Sequence, residues 1–173
     1  MLIETQRLII RDLRSEDEEA FIEMASDGSL TDVGFDDSCG EWMAEWIREA
    51  AQFAIRNNPC KDYLAYVITL RDENKAIGSV GCSYYEDLQE VGITYFIGAH
   101  YRNEGYAIES VRAYMKHFFG SYNIQKMIAT VRAENVSSWK VVEKAGFLLT
   151  EKKMYKDLND RREEMYHFYE ITV

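Results

Sequence analysis

The sequence predicts a single α+β domain in which a mixed sheet is flanked by helices. Apolar residues recur with helical spacing in some segments and form short aromatic and β-branched runs in others. These segments follow the order strand, two helices, three strands, helix, strand, helix and a final hairpin, without an internal repeat or linker. The length of 173 residues fits one domain spanning 1–173.

The individual elements follow from local signals. Ser15, with Glu18 three residues later, has the spacing of a capping box and predicts the start of the first helix. Aromatic and β-branched runs bounded by polar turns predict the strands. The expected bounds are strand 8–10, helix 15–26, loop 26–40, helix 41–57, strands 63–69, 76–85 and 90–97, a helix from 107 to 119, strand 126–131, helix 135–145 ending at Gly146, and hairpin strands 147–155 and 165–171 around a turn at 156–163.

Two of the predicted helices carry apolar stripes. The stripe of the second helix, interpreted as core, consists of Trp42, Trp46, Ala50 and Phe53. The stripe of the third helix, expected to pack on the sheet, consists of Ala107, Val111, Tyr114 and Phe118. Packing along the second of these stripes fixes the direction in which the start of the third helix points.

Residues 102–107 join the strand at 90–97 to the third helix. The first N–H groups of a helix have no intrachain acceptor, and the positive end of the helix dipole lies behind them. Such a terminus suits a phosphate. Gly105 has no Cβ to obstruct a ligand, Ala107 has a small side chain, and Arg102 adds a cation with forked donors. The sequence therefore predicts an anion site at this turn.

Two motifs carry a resemblance to a known family. Residues 102–107 have the form Arg-x-x-Gly-x-Ala, and residues 135–147 read Asn-Val-Ser-Ser-Trp-Lys-Val-Val-Glu-Lys-Ala-Gly-Phe. The first resembles the diphosphate-binding signature of the GCN5-related N-acetyltransferases (GNAT), and the second resembles a stretch of the branch that acetylates ribosomal-protein N-termini. The resemblance implies the GNAT fold, a mostly antiparallel mixed sheet of about six to seven strands that splays at the strand before the cofactor helix.

The same resemblance implies acetyl-CoA as the acyl donor. In the family the signature holds the diphosphate through backbone amides, and the splayed strand pairs with the pantetheine arm. The cofactor-binding residues that it implies are Phe96, Ile97, Arg102, Asn103, Glu104, Gly105, Tyr106, Ala107 and Asn135. The side chain of Glu104 is expected to point into solvent, because a carboxylate beside a diphosphate is unfavourable.

Two residues of the second motif have expected roles. Asn135 bonds the pantetheine arm in the family, and Asn is also well suited to cap a helix. Many relatives place a tyrosine seven residues later as general acid, and that position is Val142 here. Ser138 matches the serine of the ribosomal-protein branch, so the resemblance implies it as the better candidate to donate a hydrogen bond to the leaving sulfur. The alternative for Ser138 is a first-turn hydroxyl that bonds to the helix backbone.

Glu90 is the candidate general base. Relatives often carry a glutamate at the position of Gly92. Glu90 lies two residues earlier and on the same face of the strand, so it is expected to reach the site through a water. The alternative is a surface carboxylate, and an amine that arrives neutral needs no base.

The net charge of −10 bears on partners. It repels nucleic acid and anionic membranes and attracts cations, so we expect an amine acceptor, favourably a cationic one, and neither nucleic acid nor membrane. Four acidic residues of the 26–40 loop either line the acceptor entrance or are solvated: Asp27, Asp32, Asp36 and Asp37. A protein N-terminus, a polyamine, an aminoglycoside-like amine and an amino acid all stay open, as do the acyl group and the oligomeric state, a homodimer included.

The cysteines indicate a reducing compartment. Cys39, Cys60 and Cys82 are widely spaced and odd in number, and no histidine stands at metal-site spacing. We expect free thiols and no metal. The sequence has neither a signal-like segment nor an apolar run of membrane-spanning length, so a cytoplasmic location is expected.

Two other functions compete with acetyl transfer. A dinucleotide-binding domain is disfavoured, because no Gly-x-Gly-x-x-Gly follows the first strand and parallel βαβ units do not recur. A module that binds acyl-CoA without turnover is favoured by Gly92. The sequence thus predicts an acetyl-CoA-dependent N-acetyltransferase, with the binding module as the alternative.

Overall fold

The computed structural model describes residues 1–157 and 160–173, which form one sheet covered by helices on both faces. The strands are β1 Leu2–Glu4, β2 Leu8–Asp12, β3 Leu64–Leu70, β4 Ala76–Tyr85, β5 Glu90–Ile97, β6 Lys126–Arg132, β7 Leu148–Tyr155 and β8 Glu164–Thr172. The helices are α1 Glu18–Ala25, α2 Cys39–Arg56, α3 Tyr106–Ser121 and α4 Val136–Ala145.

The sheet confirms the predicted fold class. Among the described residues its strand order is β1-β2-β3-β4-β5-β6-β8-β7. Neighbouring strands are antiparallel except β5 and β6, which are parallel. The strand that the sequence did not predict is β1, a three-residue edge strand paired with β2. A run of three residues is too short to show an alternating pattern.

Each face of the sheet has its own core. Helices α1 and α2 pack on one face with Phe21, Met43 and Ile47, whereas α3 and α4 pack on the other. The predicted α3 stripe is confirmed, since Val111, Tyr114 and Phe118 are fully buried. The predicted α2 stripe is only partly correct. The buried residues of α2 are Cys39, Met43, Ile47 and Ala50, so Ala50 is the predicted member that is buried. Trp42, Trp46 and Phe53 are half-buried.

The first helix starts differently from the prediction. A 3-10 turn, Ser15–Asp17, precedes α1, and Arg14 rather than Ser15 is its capping residue. The Arg14 N–H donates to the Asp17 carboxylate at 2.9 Å. With Asp17 accepting from the Arg14 N–H, the turn is capped one residue earlier than predicted, and the expected capping box of Ser15 and Glu18 does not form.

The C-terminal hairpin has the expected strands, β7 and β8, within one residue of the predicted bounds. Residues 158–159 of the predicted turn lie outside the described residues. Within the described chain, no helix combines the length and the apolar character that crossing a membrane requires.

A buried ion pair joins β2 to the segment before α1, and its removal should destabilise the fold. Arg11 Nη1 and Nη2 donate to the two Asp17 carboxylate oxygens at 2.8 Å each. Asp17→Ala leaves a buried guanidinium unpaired, so we expect the free energy of unfolding, measured in urea, to fall by about 3–5 kcal/mol. Glu16→Ala removes the exposed partner of Arg14 and should cost about 0.5 kcal/mol or less. Equal losses in the two variants would contradict this prediction.

Candidate active site

The site lies where β5 and β6 separate. These parallel strands, both fully described, are paired at Gly92 and Ile128 and at no further residue. Beyond that pair a cavity of about 1070 Å³ opens between them. Residues of β3 to β8, α2, α4, the α1–α2 loop, the β4–β5 turn and the segment after β7 contribute to its walls. We call this space the β5–β6 gap. It is the splay that the family resemblance implied.

The free edge of β5 carries backbone groups that no strand pairs. Gly98 N–H donates to Ile77 O of β4 at 2.9 Å. Because successive residues of an antiparallel strand direct their backbone groups to alternate sides, those of Phe96 face β4, and those of Tyr95 and Ile97 face the gap. The backbone groups of Phe96 are therefore not directed at the gap, although its side chain lines the cavity, and its role in cofactor binding stays a prediction. Tyr95 supplies the unpaired N–H and C=O groups.

Arg102 fixes the end of β5. Its Nε donates to the Ile97 carbonyl at 3.0 Å, and its Nη2 donates to the Ser29 carbonyl at 3.1 Å. The side chain thus ties the start of the turn before α3 to β5 and to the α1–α2 loop. A direct contact of Arg102 with a phosphate stays a prediction.

The turn before α3 has the geometry of an anion cradle. Asn103 and Gly105 are both left-handed, with φ of 66° and 82°, and Gly105 is the N-cap of α3. Among the described residues, the backbone N–H groups of 106–108 have no acceptor. Consecutive amides in such a turn converge on one point, with the positive helix end behind them. Glu104 is exposed, as expected. The arrangement therefore fits a diphosphate.

Asn135 begins α4 and lines the cavity. Its Oδ1 accepts hydrogen bonds from the Ser138 N–H at 3.2 Å and from the Ser137 hydroxyl at 3.0 Å. The helix-capping role is therefore confirmed. Within the described chain the Asn135 side-chain NH₂ has no partner, so it can still donate to a ligand, and the two expected roles are compatible.

Ser138 lies opposite β5, in contact with Tyr95. The Tyr95 hydroxyl is 2.8 Å from Ser138 Oγ and donates to the Ser138 carbonyl at 2.9 Å. Burial raises the pKa of Tyr95 to about 12, so this hydroxyl keeps its proton at neutral pH. The two hydroxyls form a protonated pair at the wall of the cavity.

Glu90 does not reach the cavity. Its carboxylate is ion-paired with Lys126 at the start of β6, before the strands separate. The structure also explains Gly92, since a Cβ there would lie 2.5 Å from the Tyr85 ring. The space above Gly92 is filled by a tyrosine from β4, and the structure gives no support to Glu90 as the base.

The opposite wall of the gap is polar. Thr130 Oγ1 lies 3.2 Å from the Tyr85 hydroxyl and 3.3 Å from an Asp157 carboxylate oxygen. Burial raises the pKa of Tyr85 to about 12. These three residues, carried by β4, β6 and the segment after β7, place two hydroxyls and a carboxylate on the side of the cavity that faces α1 and α2.

Arg132 links the α1–α2 loop to β6. Its Nη1 bonds Asp32 at 2.8 Å, and its Nε bonds Asp160 at 3.1 Å. Burial alone would raise the pKa of Asp160, but hydrogen bonds from Tyr166 and Arg132 hold it below its usual value.

Only one of the four loop acids singled out in the sequence lines the cavity. It is Asp32. Asp27 and Asp36 accept hydrogen bonds from Ser29 and Ser38 in local turns, and Asp37 is exposed. Two acids that the sequence did not single out, Glu86 and Asp87, line the cavity beside Asp157.

Sequence reasoning also missed two tyrosines of the site. Strand alternation places Tyr95 with Ile93 on the face of α4, and this pattern could have identified it. The position of Tyr85 over Gly92 depends on the register between β4 and β5, in which Tyr85 pairs with Glu90, so no local pattern announces it. Among the described residues, no group of His, Cys, Asp and Glu is arranged to hold a metal ion.

Known proteins resemble this chain over most of its length. The sequence profile described as the acetyltransferase (GNAT) domain matches residues 7–148. The uncharacterized N-acetyltransferase YnaD of Bacillus subtilis is 28% identical over 148 residues, which cover 84% of this chain and 82% of YnaD.

Solved structures share the fold. A GNAT-family acetyltransferase from Bacillus anthracis superposes with a TM-score of 0.82 at 21% identity, covering 99% of this chain and 98% of that one. RimL, a ribosomal L7/L12 alpha-N-protein acetyltransferase solved with coenzyme A, gives a TM-score of 0.83 at 15% identity, covering 100% and 98%. Since the family profile spans well over half of the sequence, this chain belongs to the GNAT family of N-acetyltransferases.

Proposed function

We propose that this acetyltransferase moves the acetyl group of acetyl-CoA to a primary amine, which attacks the thioester directly. The observation that carries the proposal is the β5–β6 gap, in which an unpaired strand edge leads into a cradle of free amides. RimL, solved with coenzyme A, shares this fold and supports the choice of cofactor. The free thiols of Cys39, Cys60 and Cys82 support a cytoplasmic location.

Different residues would bind different parts of acetyl-CoA. The amides of 106–108 would hold the diphosphate, and the Tyr95 backbone, with the Asn135 side chain, would pair with the amides of the pantetheine arm. These contacts place the thioester beside Ser138, between the two faces of the sheet. Such positioning converts a bimolecular encounter into a reaction between oriented groups.

The chemistry needs a proton for the departing sulfur. Bound acetyl-CoA supplies an activated acetyl group; a new N–C bond forms and the C–S bond breaks. Ser138 Oγ, 2.8 Å from the Tyr95 hydroxyl, would donate a hydrogen bond and then its proton to the departing sulfur. The attacking amine, which arrives neutral, loses one proton to solvent after attack, and the serine takes one proton back from solvent, so the protons balance.

The cavity carries an excess of acidic residues that would attract a positively charged amine acceptor. Asp32, Glu86, Asp87 and Asp157 line the cavity on the side of α1 and α2, against the basic residues Arg132 and Lys156. The excess of carboxylates raises the local concentration of cations. We propose an amine that carries a second positive charge, such as a polyamine or a basic peptide N-terminus.

Gly105→Val should abolish acetyl-CoA binding. A valine would strain the backbone where φ is 82°, and its Cβ, 3.4 Å from Arg7 Nη2, would displace the turn that presents the free amides, so we expect Kd, measured by calorimetry, to rise at least about a hundredfold. Gly146→Val is the matched control. It also replaces a glycine of positive φ at a helix end, but lies at the far end of α4 and should leave Kd unchanged. A Gly105→Val protein that binds like the parent would refute the cradle.

Ser138→Ala should slow turnover by roughly 10² to 10⁴ if its hydroxyl protonates the sulfur. Ser137→Ala serves as the control, because its hydroxyl bonds Asn135 instead, and turnover should barely change. The assay is thiol release with a panel of amines. Unchanged turnover in Ser138→Ala would remove the serine from this role.

The same assay tests the alternative function. A parent protein that binds acetyl-CoA but does not release thiol with any amine of the panel would be a binding module instead.

The acceptor preference is testable by comparing amines of one length. We expect kcat/KM to be highest for a diamine, lower for a neutral monoamine and lowest for an amino acid, with the diamine's advantage falling as salt rises. Combining Glu86→Gln with Asp87→Asn should reduce that advantage by about tenfold. Equal kcat/KM across the panel would exclude a cationic preference.

A further inference from the structure

The turn between β1 and β2 grips the first helical turn of α3. Thr5 Oγ1 donates to Glu109 Oε1 at 2.7 Å, and the Arg7 N–H donates to the same oxygen at 3.1 Å. Arg7 Nε donates to Glu109 Oε2 at 2.7 Å, with Nη2 2.6 Å from that oxygen. Both carboxylate oxygens of Glu109 are thus occupied by residues about a hundred positions away in sequence.

The same guanidinium reaches the anion cradle itself. Arg7 Nη1 donates to the Glu104 carbonyl at 2.8 Å. The guanidinium carbon lies 4.6 Å from the centre of the Tyr106 ring. A Cβ built on Gly105 would be 3.4 Å from Nη2. Arg7 therefore contacts Glu104 and Tyr106 and lies beside Gly105, in the turn that presents the free amides.

Glu109 creates an electrostatic conflict that Arg7 resolves. A carboxylate in the first turn of α3 favours the helix but repels a diphosphate bound at the same terminus. The hydrogen bonds from Thr5 and Arg7 outweigh burial and lower the pKa of Glu109, so the carboxylate stays charged. The guanidinium at 2.6 Å then compensates this charge. Its bond to the Glu104 carbonyl also directs that acceptor away from the ligand.

We propose that Arg7 is a positioning residue of the nucleotide site, which neutralises Glu109 and fixes the Glu104–Tyr106 turn so that its amides receive the cofactor diphosphate. The inference rests on the proposed use of acetyl-CoA. It assigns a role in that site to the N-terminal turn, which is more than ninety residues from the motif in sequence.

The experiment compares two acyl donors. S-acetylpantetheine has the thioester and the arm but lacks the diphosphate and the nucleotide. Arg7→Gln should raise Kd and KM for acetyl-CoA about tenfold with kcat nearly unchanged. With S-acetylpantetheine, kcat/KM should equal that of the parent. A purely structural loss would reduce activity with both donors.

Charge compensation predicts a rescue. Glu109→Gln alone should keep affinity, because the repelling charge is gone while Arg7 remains. The double variant Arg7→Gln/Glu109→Gln should recover most of the affinity that Arg7→Gln loses. Arg7→Lys keeps the positive charge but not the forked donors of the guanidinium, so its Kd should fall between those of the parent and Arg7→Gln.

Arg71→Gln is the matched control. Arg71 holds the same N-terminal turn through the Thr5 carbonyl at 2.6 Å, away from the cradle, and its loss should not change Kd.

The outcomes separate this inference from the proposed function. If the parent does not bind acetyl-CoA, the function fails and the inference fails with it. If the parent binds but Arg7→Gln has the same Kd, or loses equally with S-acetylpantetheine, the inference is overturned while the function stands. Should Arg7→Gln not fold, Arg7→Lys and Glu109→Gln carry the comparison, and an Arg7→Lys affinity equal to the parent's overturns it.

Discussion

The separation of β5 from β6 is the constraint on which the rest of the structure depends. Two parallel strands in the middle of a sheet normally satisfy each other's backbone groups, and leaving those groups unpaired in a buried position is costly. Here the pairing stops at Gly92 and Ile128, and the cavity begins there. The unpaired groups of Tyr95 therefore need either water or a ligand rich in amides. The amides of a pantetheine arm, the ligand proposed for this site, would supply such partners.

Side chains from neighbouring elements hold the gap open at both ends. At its base the Tyr85 ring of β4 lies across Gly92 of β5, and its hydroxyl bonds Thr130 of β6. This side chain therefore links β4 to β6 across β5. At its mouth Arg102 binds the Ile97 carbonyl and ties it to Ser29. Any side chain at position 92 would displace the Tyr85 ring. The glycine is thus required by packing, and its presence says nothing against catalysis.

Local signals in the sequence predicted part of the structure. The α3 stripe of Val111, Tyr114 and Phe118 and the Asn135 cap each depend on residues a few positions apart, and both were confirmed. The capping box of Ser15 and Glu18 is also a local pattern, but a carboxylate one residue earlier in the chain, that of Asp17, replaced it. Predictions that depended on register or on distant segments did less well. Glu90 lies on the expected face of β5, but the strand start where it pairs with Lys126 precedes the gap. The contacts of Tyr95 with Ser138 and of Arg7 with Glu109 span 43 and 102 positions, and no periodicity reveals them.

Because side chains alternate along β5, the two faces of the sheet present different groups to the cavity. On β5, Tyr95 faces α3 and α4, where Ser138 and the free amides of the cradle lie, whereas Phe96 faces α1 and α2 and packs on Phe35. The first side therefore presents donors suited to phosphate and to a leaving thiolate, and the second presents carboxylates suited to an amine. A one-residue change of register would exchange Tyr95 and Phe96 and turn the Tyr95 hydroxyl away from Ser138. The eight residue pairs between β4 and β5 hold that register, so pairing with β4 determines which β5 side chains face α4 and which face α1 and α2.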